Sequence, residues 1–238
     1  MRYNRLLETI LLFAALPAGK PTVIRSVAPT CESNGLCFLQ TPIVGTSSVI
    51  GIALPEKQDL NAPEMLISLQ IGLPYGFSGV SLNENSTQAL FISDFPARGQ
   101  SVEAAEKKLS DPAFLETLSS ADFVVQMSKP LPNNTFAPGF GANITLAPDI
   151  FFVNTSFFRV VALCKNCSVK GDSAPSIFLD EVSKLTFMNS KVLPQYLNST
   201  TNFAMYFEAG MDHIPFVLDA HSAHFQNYTE MVQAAGLL

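Results

Sequence analysis

Short apolar, β-branched runs recur along this chain, and turn-forming residues interrupt them repeatedly. That texture predicts β-strands. Ser47–Leu54 (SSVIGIAL) reads as a short, mostly buried strand ended by Pro55 and Glu56. Glu64–Gly72 (EMLISLQIG) has the apolar, β-branched character of another, closed by the turn Gly72-Leu73-Pro74. Gln88–Ser93 is a third, and TCESNGLCFLQTPI places a turn between Cys31 and Cys37 ahead of a further strand. Lys129–Gly141, rich in Pro, Asn and Gly, predicts loop. Strand character resumes at Asn143–Leu146, Ile150–Val153 and Phe157–Cys164, with FFRVVALC the strongest, and again at Ile177–Phe187 and Phe203–Glu208.

A different texture runs from Val102 to Val125. Glu103-Ala-Ala-Glu-Lys-Lys-Leu has helical composition, and Asp111-Pro112 before AFLETL has an N-cap followed by proline at the first helical position. One or two short helices inserted at 101–125 therefore interrupt an otherwise all-β chain. The fold these elements predict is an antiparallel, immunoglobulin-like β-sandwich.

Composition narrows the function classes. The chain has 238 residues, of which 47% are hydrophobic and 14% charged, enough to build a substantial core. A net charge of -6 leaves no basic face for phosphate backbones, which excludes nucleic acid as an expected partner. Residues 1–19 carry Arg2 and Arg5 ahead of the apolar run Ile10–Leu16, then small residues at Ala18 and Gly19, which is signal-peptide order. The run is too short to span a bilayer, and the C-terminal Ala-Ala-Gly-Leu-Leu lacks the spacer and tail of a glycolipid anchor, so no membrane anchor is expected.

The secretory reading rests more heavily on sequons. Asn-X-Ser/Thr occurs at Asn85, Asn133, Asn143, Asn154, Asn166, Asn198 and Asn227, against roughly two expected from composition. Asn166 lies between Cys164 and Cys167, where it is too hindered to be counted with the other six as a glycan acceptor. Cysteines occur as two close pairs, Cys31 with Cys37 and Cys164 with Cys167, and an even count in a secreted chain favours local disulfides over zinc, which would need a second Cys-x-x-Cys pair.

All three histidines, His213, His221 and His224, fall in the segment HIPFVLDAHSAHFQNY. Met205, Met211 and Asp212 just upstream add groups able to ligate or cradle a cofactor. The spacing His221-x-x-His224, joined by His213 or Asp219, offers zinc or copper a partial ligand set. Phosphate loops, Gly-x-Ser-x-Gly, His-Glu-x-x-His and the dinucleotide fingerprint are all absent, so there is no flavin or hydrolase signature.

Three patterns in order carry a resemblance: the IGIAL strand, the pair Cys164-Lys-Asn-Cys167 directly after an aromatic strand, and the ending LDAHSAHFQNY. Together they resemble the cytochrome domain of cellobiose dehydrogenases, a DOMON-like, haem b-binding family, with coverage over about 30–230. The resemblance implies a secreted β-sandwich whose haem b iron is held by one Met and one His and passes single electrons. In the window PEKQDLNAPEM the family's Met position falls near Gln58, and Met65 is the nearest methionine; His213 is the histidine upstream of the tail motif. Met65 and His213 are therefore the expected haem ligands, and His221 a packing residue of the motif. The implied function is a secreted b-type cytochrome domain relaying electrons from a flavoprotein to an extracellular electron acceptor, with no catalytic residues of its own. The alternative is a haem-free secreted sandwich glycoprotein that contacts carbohydrate or cell wall, and a weaker third is a metal-binding protein using His221 and His224.

Overall fold

The computed structural model describes residues 28–72, 77–82, 89–93, 111, 113, 124–131, 135–138, 142–148, 152–154, 156–167, 178, 182–190, 195–196, 205–206 and 211–238. In chain order its strands are β1 (Thr30–Cys31), β2 (Cys37–Pro42), β3 (Val49–Pro55), β4 (Glu64–Gly72), β5 (Phe77–Ser81), β6 (Ala89–Ser93), β7 (Val124–Leu131) and β8 (Thr135–Pro138). They continue as β9 (Asn143–Leu146), β10 (Phe152–Val153), β11 (Phe157–Lys165), β12 (Val182–Ser190), β13 (Gln195–Tyr196), β14 (Met205–Tyr206), β15 (Asp212–Asp219) and β16 (His224–Phe225), and helix α1 (Tyr228–Ala234) follows.

Two sheets form a sandwich. The first runs β1-β2-β3-β4-β11-β10, with β9 beside β11 and β16 parallel to β3. The second runs β13-β14-β8-β7-β6-β5-β12-β15. Apart from the β16–β3 pair, the pairing is antiparallel, as expected of short strands joined by local turns. The main core lies between the sheets, where Ile52, Met65, Ile67, Leu69, Phe158 and Val160 from one meet Val80, Met127, Leu185, Phe187, Phe216 and Leu218 from the other.

β4 and β11 pair along their whole length, Glu64 opposite Lys165 to Gly72 opposite Phe157. Part of their outer side is apolar as well, because a second cluster covers it: Leu36, Phe38, Ala53, Leu66, Val161 and Leu163 meet Tyr228, Met231 and Val232. α1 ends where Gly236, at φ 68°, takes the left-handed conformation a non-glycine residue disfavours. Gly236 N–H donates to Gln233 O at 2.9 Å and Leu237 N–H to Val232 O at 3.1 Å, the paired bonds of a Schellman stop.

The expected sandwich and the strands around IGIAL, EMLISLQIG and FFRVVALC are present. Both expected disulfides, Cys31–Cys37 and Cys164–Cys167, are formed. Lys129–Gly141 is a correction: Lys129, Pro130 and Leu131 end β7, and Thr135–Pro138 is β8. β15 is a further strand carrying His213, and it tolerates Pro215 because among the described residues it is the edge strand of its sheet, paired only with β12. Of the expected helical insertion, Val124 and Val125 belong instead to β7. Asp111 Oδ1 accepts from Ala113 N–H at 3.0 Å, as an N-cap does, while most of 101–123 lies outside the described residues. The leader 1–19 and the sequons Asn85, Asn133 and Asn198 also lie outside them.

Candidate functional site

Strand alternation settles which way each candidate ligand faces. Met65 is fully buried on β4, opposite Cys164, and packs with Cys164 and Cys167 in the core between the sheets. On β15, Phe216 and Leu218 enter that core, so the odd positions His213, Pro215 and Val217 face away from it, and His213 is exposed. His213 thus stands on the far side of the second sheet from Met65.

The residues around His213 form a distinct surface. Leu185 and Phe187 point inward on β12, which turns Thr186, Met188 and Ser190 outward; Val80 does the same for Gly79 and Ser81, and Met127 for Gln126 and Ser128. Met188 lies opposite His213 on one side and Gly79 on the other. Thr186 lies opposite Pro215 and Ser81. Although they face away from the sandwich core, Ser81, Gln126, Ser128, Met188 and Ser190 are buried. Gln126 Nε2 donates to Ser128 Oγ at 2.9 Å along this face. Met188, 1% exposed yet a member of neither apolar cluster, is the residue that sequence reasoning missed. Its signal is the neighbouring pair Phe187-Met188: in a strand of period two, one of two consecutive apolar residues must leave the core.

The inner face of the same sheet carries a polar defect. Asn189 and Ser78 are cross-strand partners, each 1% exposed, and Asn189 Oδ1 and Nδ2 and Ser78 Oγ have no hydrogen-bond partner.

These positions decide whether a haem held by Met and His fits. Two axial ligands must reach one planar group from opposite sides, and Met65 and His213 do not converge: one points into the core, while the other points outward from the opposite sheet about 10 Å away. Met188 does not replace Met65, because direct cross-strand partners have Cβ atoms only about 4.5–5.5 Å apart and share a face. At the position matching the family's Met, Gln58 Nε2 donates to Glu64 O at 3.1 Å, and its buried Oε1 has no partner. Met65 and His213 therefore do not fit as the two axial ligands of one haem.

Nor does the histidine pair assemble a metal site. His224 Nδ1 lies 2.6 Å from Pro55 O, and since a carbonyl only accepts, Nδ1 carries the proton and pins β16 to β3. Asp219 accepts from Ser222 N–H at 3.3 Å and Ser222 Oγ–H at 2.8 Å, capping the turn that holds exposed His221. Among the described residues no group of three His, Cys, Asp or Glu side chains could hold a metal ion. Tyr228 of the tail motif is buried with its hydroxyl unpartnered; burial, and then the nearby Glu64 carboxylate, push its phenol well above the usual tyrosine range.

The class defined by this geometry is an antiparallel β-sandwich with an apolar helix packed on one outer face. Solved structures that share this fold include cytochrome domains. The cytochrome b domain of pyranose dehydrogenase from Coprinopsis cinerea matches with a TM-score of 0.61 at 16% identity, over 87% of this chain and 94% of that one. The cytochrome domain of Myriococcum thermophilum cellobiose dehydrogenase matches with a TM-score of 0.57 at 18% identity, over 87% and 96%. No family model and no curated protein matches the sequence. The chain therefore has the cytochrome-domain fold, and among the described residues no helix is long and apolar enough to cross a membrane.

Proposed function

We propose that this chain is a haem-free sandwich of the cytochrome-domain fold, working as a secreted glycoprotein that contacts carbohydrate or cell wall. The observation that carries this reading is the separation of Met65 and His213 onto opposite sides of the second sheet. Secretion is supported by the signal-peptide order of residues 1–19, the sequons and the disulfides. The contact role is supported by the part of the first sheet's outer face that α1 leaves uncovered. There the half-buried Gln40 and Gln70 stand beside Arg159, whose Nε donates to Ser68 Oγ at 2.8 Å and whose guanidinium pairs with Glu32, while Gln70 Nε2 donates to Ser47 O at 3.2 Å; the Gln40 amide and the Gln70 carboxamide oxygen are the groups left for the hydroxyls of an extended sugar chain.

The decisive experiment is an absorption spectrum of protein secreted with ample haem, recorded oxidised and then dithionite-reduced. A colourless protein is expected. A Soret band with sharp α and β bands overturns the proposal and establishes the second reading, a b-type cytochrome with haem b as cofactor that relays single electrons between a flavoprotein and an extracellular acceptor. That reading is supported by the two solved cytochrome domains. It requires a ligand set other than Met65 with His213, and a spectrum lost in His213→Ala would retain that histidine within it. Retention on insoluble polysaccharide, lost in Gln40→Ala and Gln70→Ala, tests the contact role.

A further inference from the structure

The hairpin joining β10 to β11 combines three features that the reading above does not use. Phe152 is 51% exposed, an aromatic ring left outside on a strand whose next residue, Val153, packs against the main core. Its register partner is Arg159, which places both on the first sheet's outer face, and its ring lies 5.5 Å from that of Phe157. Two residues beyond Phe152, in the sequon Asn154-Thr155-Ser156, Asn154 Oδ1 accepts from Ser156 N–H at 2.8 Å and Phe157 N–H at 2.9 Å, while Asn154 N–H donates to Phe157 O at 2.9 Å. The side-chain oxygen is thereby committed to the turn, and Nδ2, the atom a glycan is attached to, is left uncommitted.

We infer that Asn154 carries an N-linked glycan whose first N-acetylglucosamine lies over the open face of Phe152, covering the ring and tightening the hairpin. Asn154 opens the turn directly after β10, two residues beyond Phe152, and the Phe157 whose N–H its side chain holds has its ring 5.5 Å from that of Phe152, so a sugar on Asn154 starts beside the exposed ring. The C–H-rich face of a pyranose satisfies an exposed aromatic face that water does not. The attachment balances simply. Nδ2 bonds to the anomeric carbon of a polyprenyl-pyrophosphate-linked oligosaccharide, the bond from that carbon to the pyrophosphate oxygen breaks, and polyprenyl pyrophosphate and one amide proton leave. Nothing is oxidised or reduced. The other described sequons lack the arrangement. Phe225, at the same offset from Asn227, packs against the apolar cluster under α1. Asn143 has Gly141 at that offset, and Asn166 sits between disulfide-bonded cysteines at φ 59°. The inference rests on the secretory part of the proposed function and is independent of haem.

Peptide mass mapping of the secreted protein tests occupancy, and melting after glycosidase treatment tests the contact. Trimming the glycans to single sugars is expected to leave the melting temperature unchanged. Complete removal with an amidase lowers it by about 2–4 °C, and in Phe152→Ala that drop disappears. A bare Asn154 beside occupied Asn143 or Asn227 overturns the inference alone. Bare asparagines at every sequon overturn it together with the secretory reading. A drop of equal size in the wild type and Phe152→Ala shows that the sugar does not use the ring and rejects the contact.

Discussion

The outer faces of the two sheets are both buried in part, but by different chemistry. On the first sheet, Phe38, Ala53, Leu66, Val161 and Leu163 disappear under Tyr228, Met231 and Val232 of α1, an apolar seal that pays for itself in surface removed from water. On the second, the buried outward residues among those described include Ser81, Gln126, Ser128, Met188 and Ser190, four of them polar. Such a surface contributes little hydrophobic stabilisation and must satisfy its polar groups instead. The contrast is between a face sealed by apolar packing and one whose described buried positions are mostly polar.

The largest test of that contrast is Met231→Ala, which should cost about 2–5 kcal/mol in urea denaturation because a well-packed side chain is lost. Met188→Ala should cost clearly less, and equal losses would mean that the second outer face is a packed core after all. Gly51→Ala should cost about 1–3 kcal/mol, since a Cβ there would stand 3.0 Å from Phe38 Cβ and 3.1 Å from Ser68 Cβ beside the helix-covered cluster. Tyr228→Phe should stabilise the protein by about 1 kcal/mol near neutrality by removing a buried, unpartnered hydroxyl. It should also flatten the alkaline limb of the stability profile. The folded phenol is raised, so above about pH 10 the unfolded chain releases a proton that the native one keeps, and stability falls by up to about 1.4 kcal/mol per pH unit. Equal alkaline slopes in the two proteins would remove Tyr228 from that account. Ser78→Ala should be the smallest gain, about 0.5–1 kcal/mol; a loss instead would reveal a polar occupant between Ser78 and Asn189.

Much of the first sheet was legible in the sequence because its strands are buried on both faces and read as nearly continuous apolar runs. The second sheet was harder. Lys129 and Pro130 end β7 with no β-branched residue to announce it, and pairing with β8 overrides a local composition that favours loop. α1 escaped notice although Tyr228, Met231, Val232 and Ala235 stand at helical spacing, because one short amphipathic turn is weak beside a sequence motif. His213 was found as a residue but not as a direction. Which face of a strand a side chain takes depends on register, and register is fixed by partners distant in sequence.

The bond from His224 to Pro55 spans 169 positions, and the cluster under α1 joins Leu36 and Phe38 to Met231 and Leu237. During synthesis β3 and β4 emerge long before the residues that will cover their outer side. Until the ribosome has released the segment around Met231, those strands present apolar side chains and an unpaired stretch of backbone to the surrounding medium, at high contact order and therefore for a comparatively long time. A chain interrupted before Met231 would leave the outer side of β3 and β4 exposed, so their apolar residues need cover from elsewhere until the helix arrives.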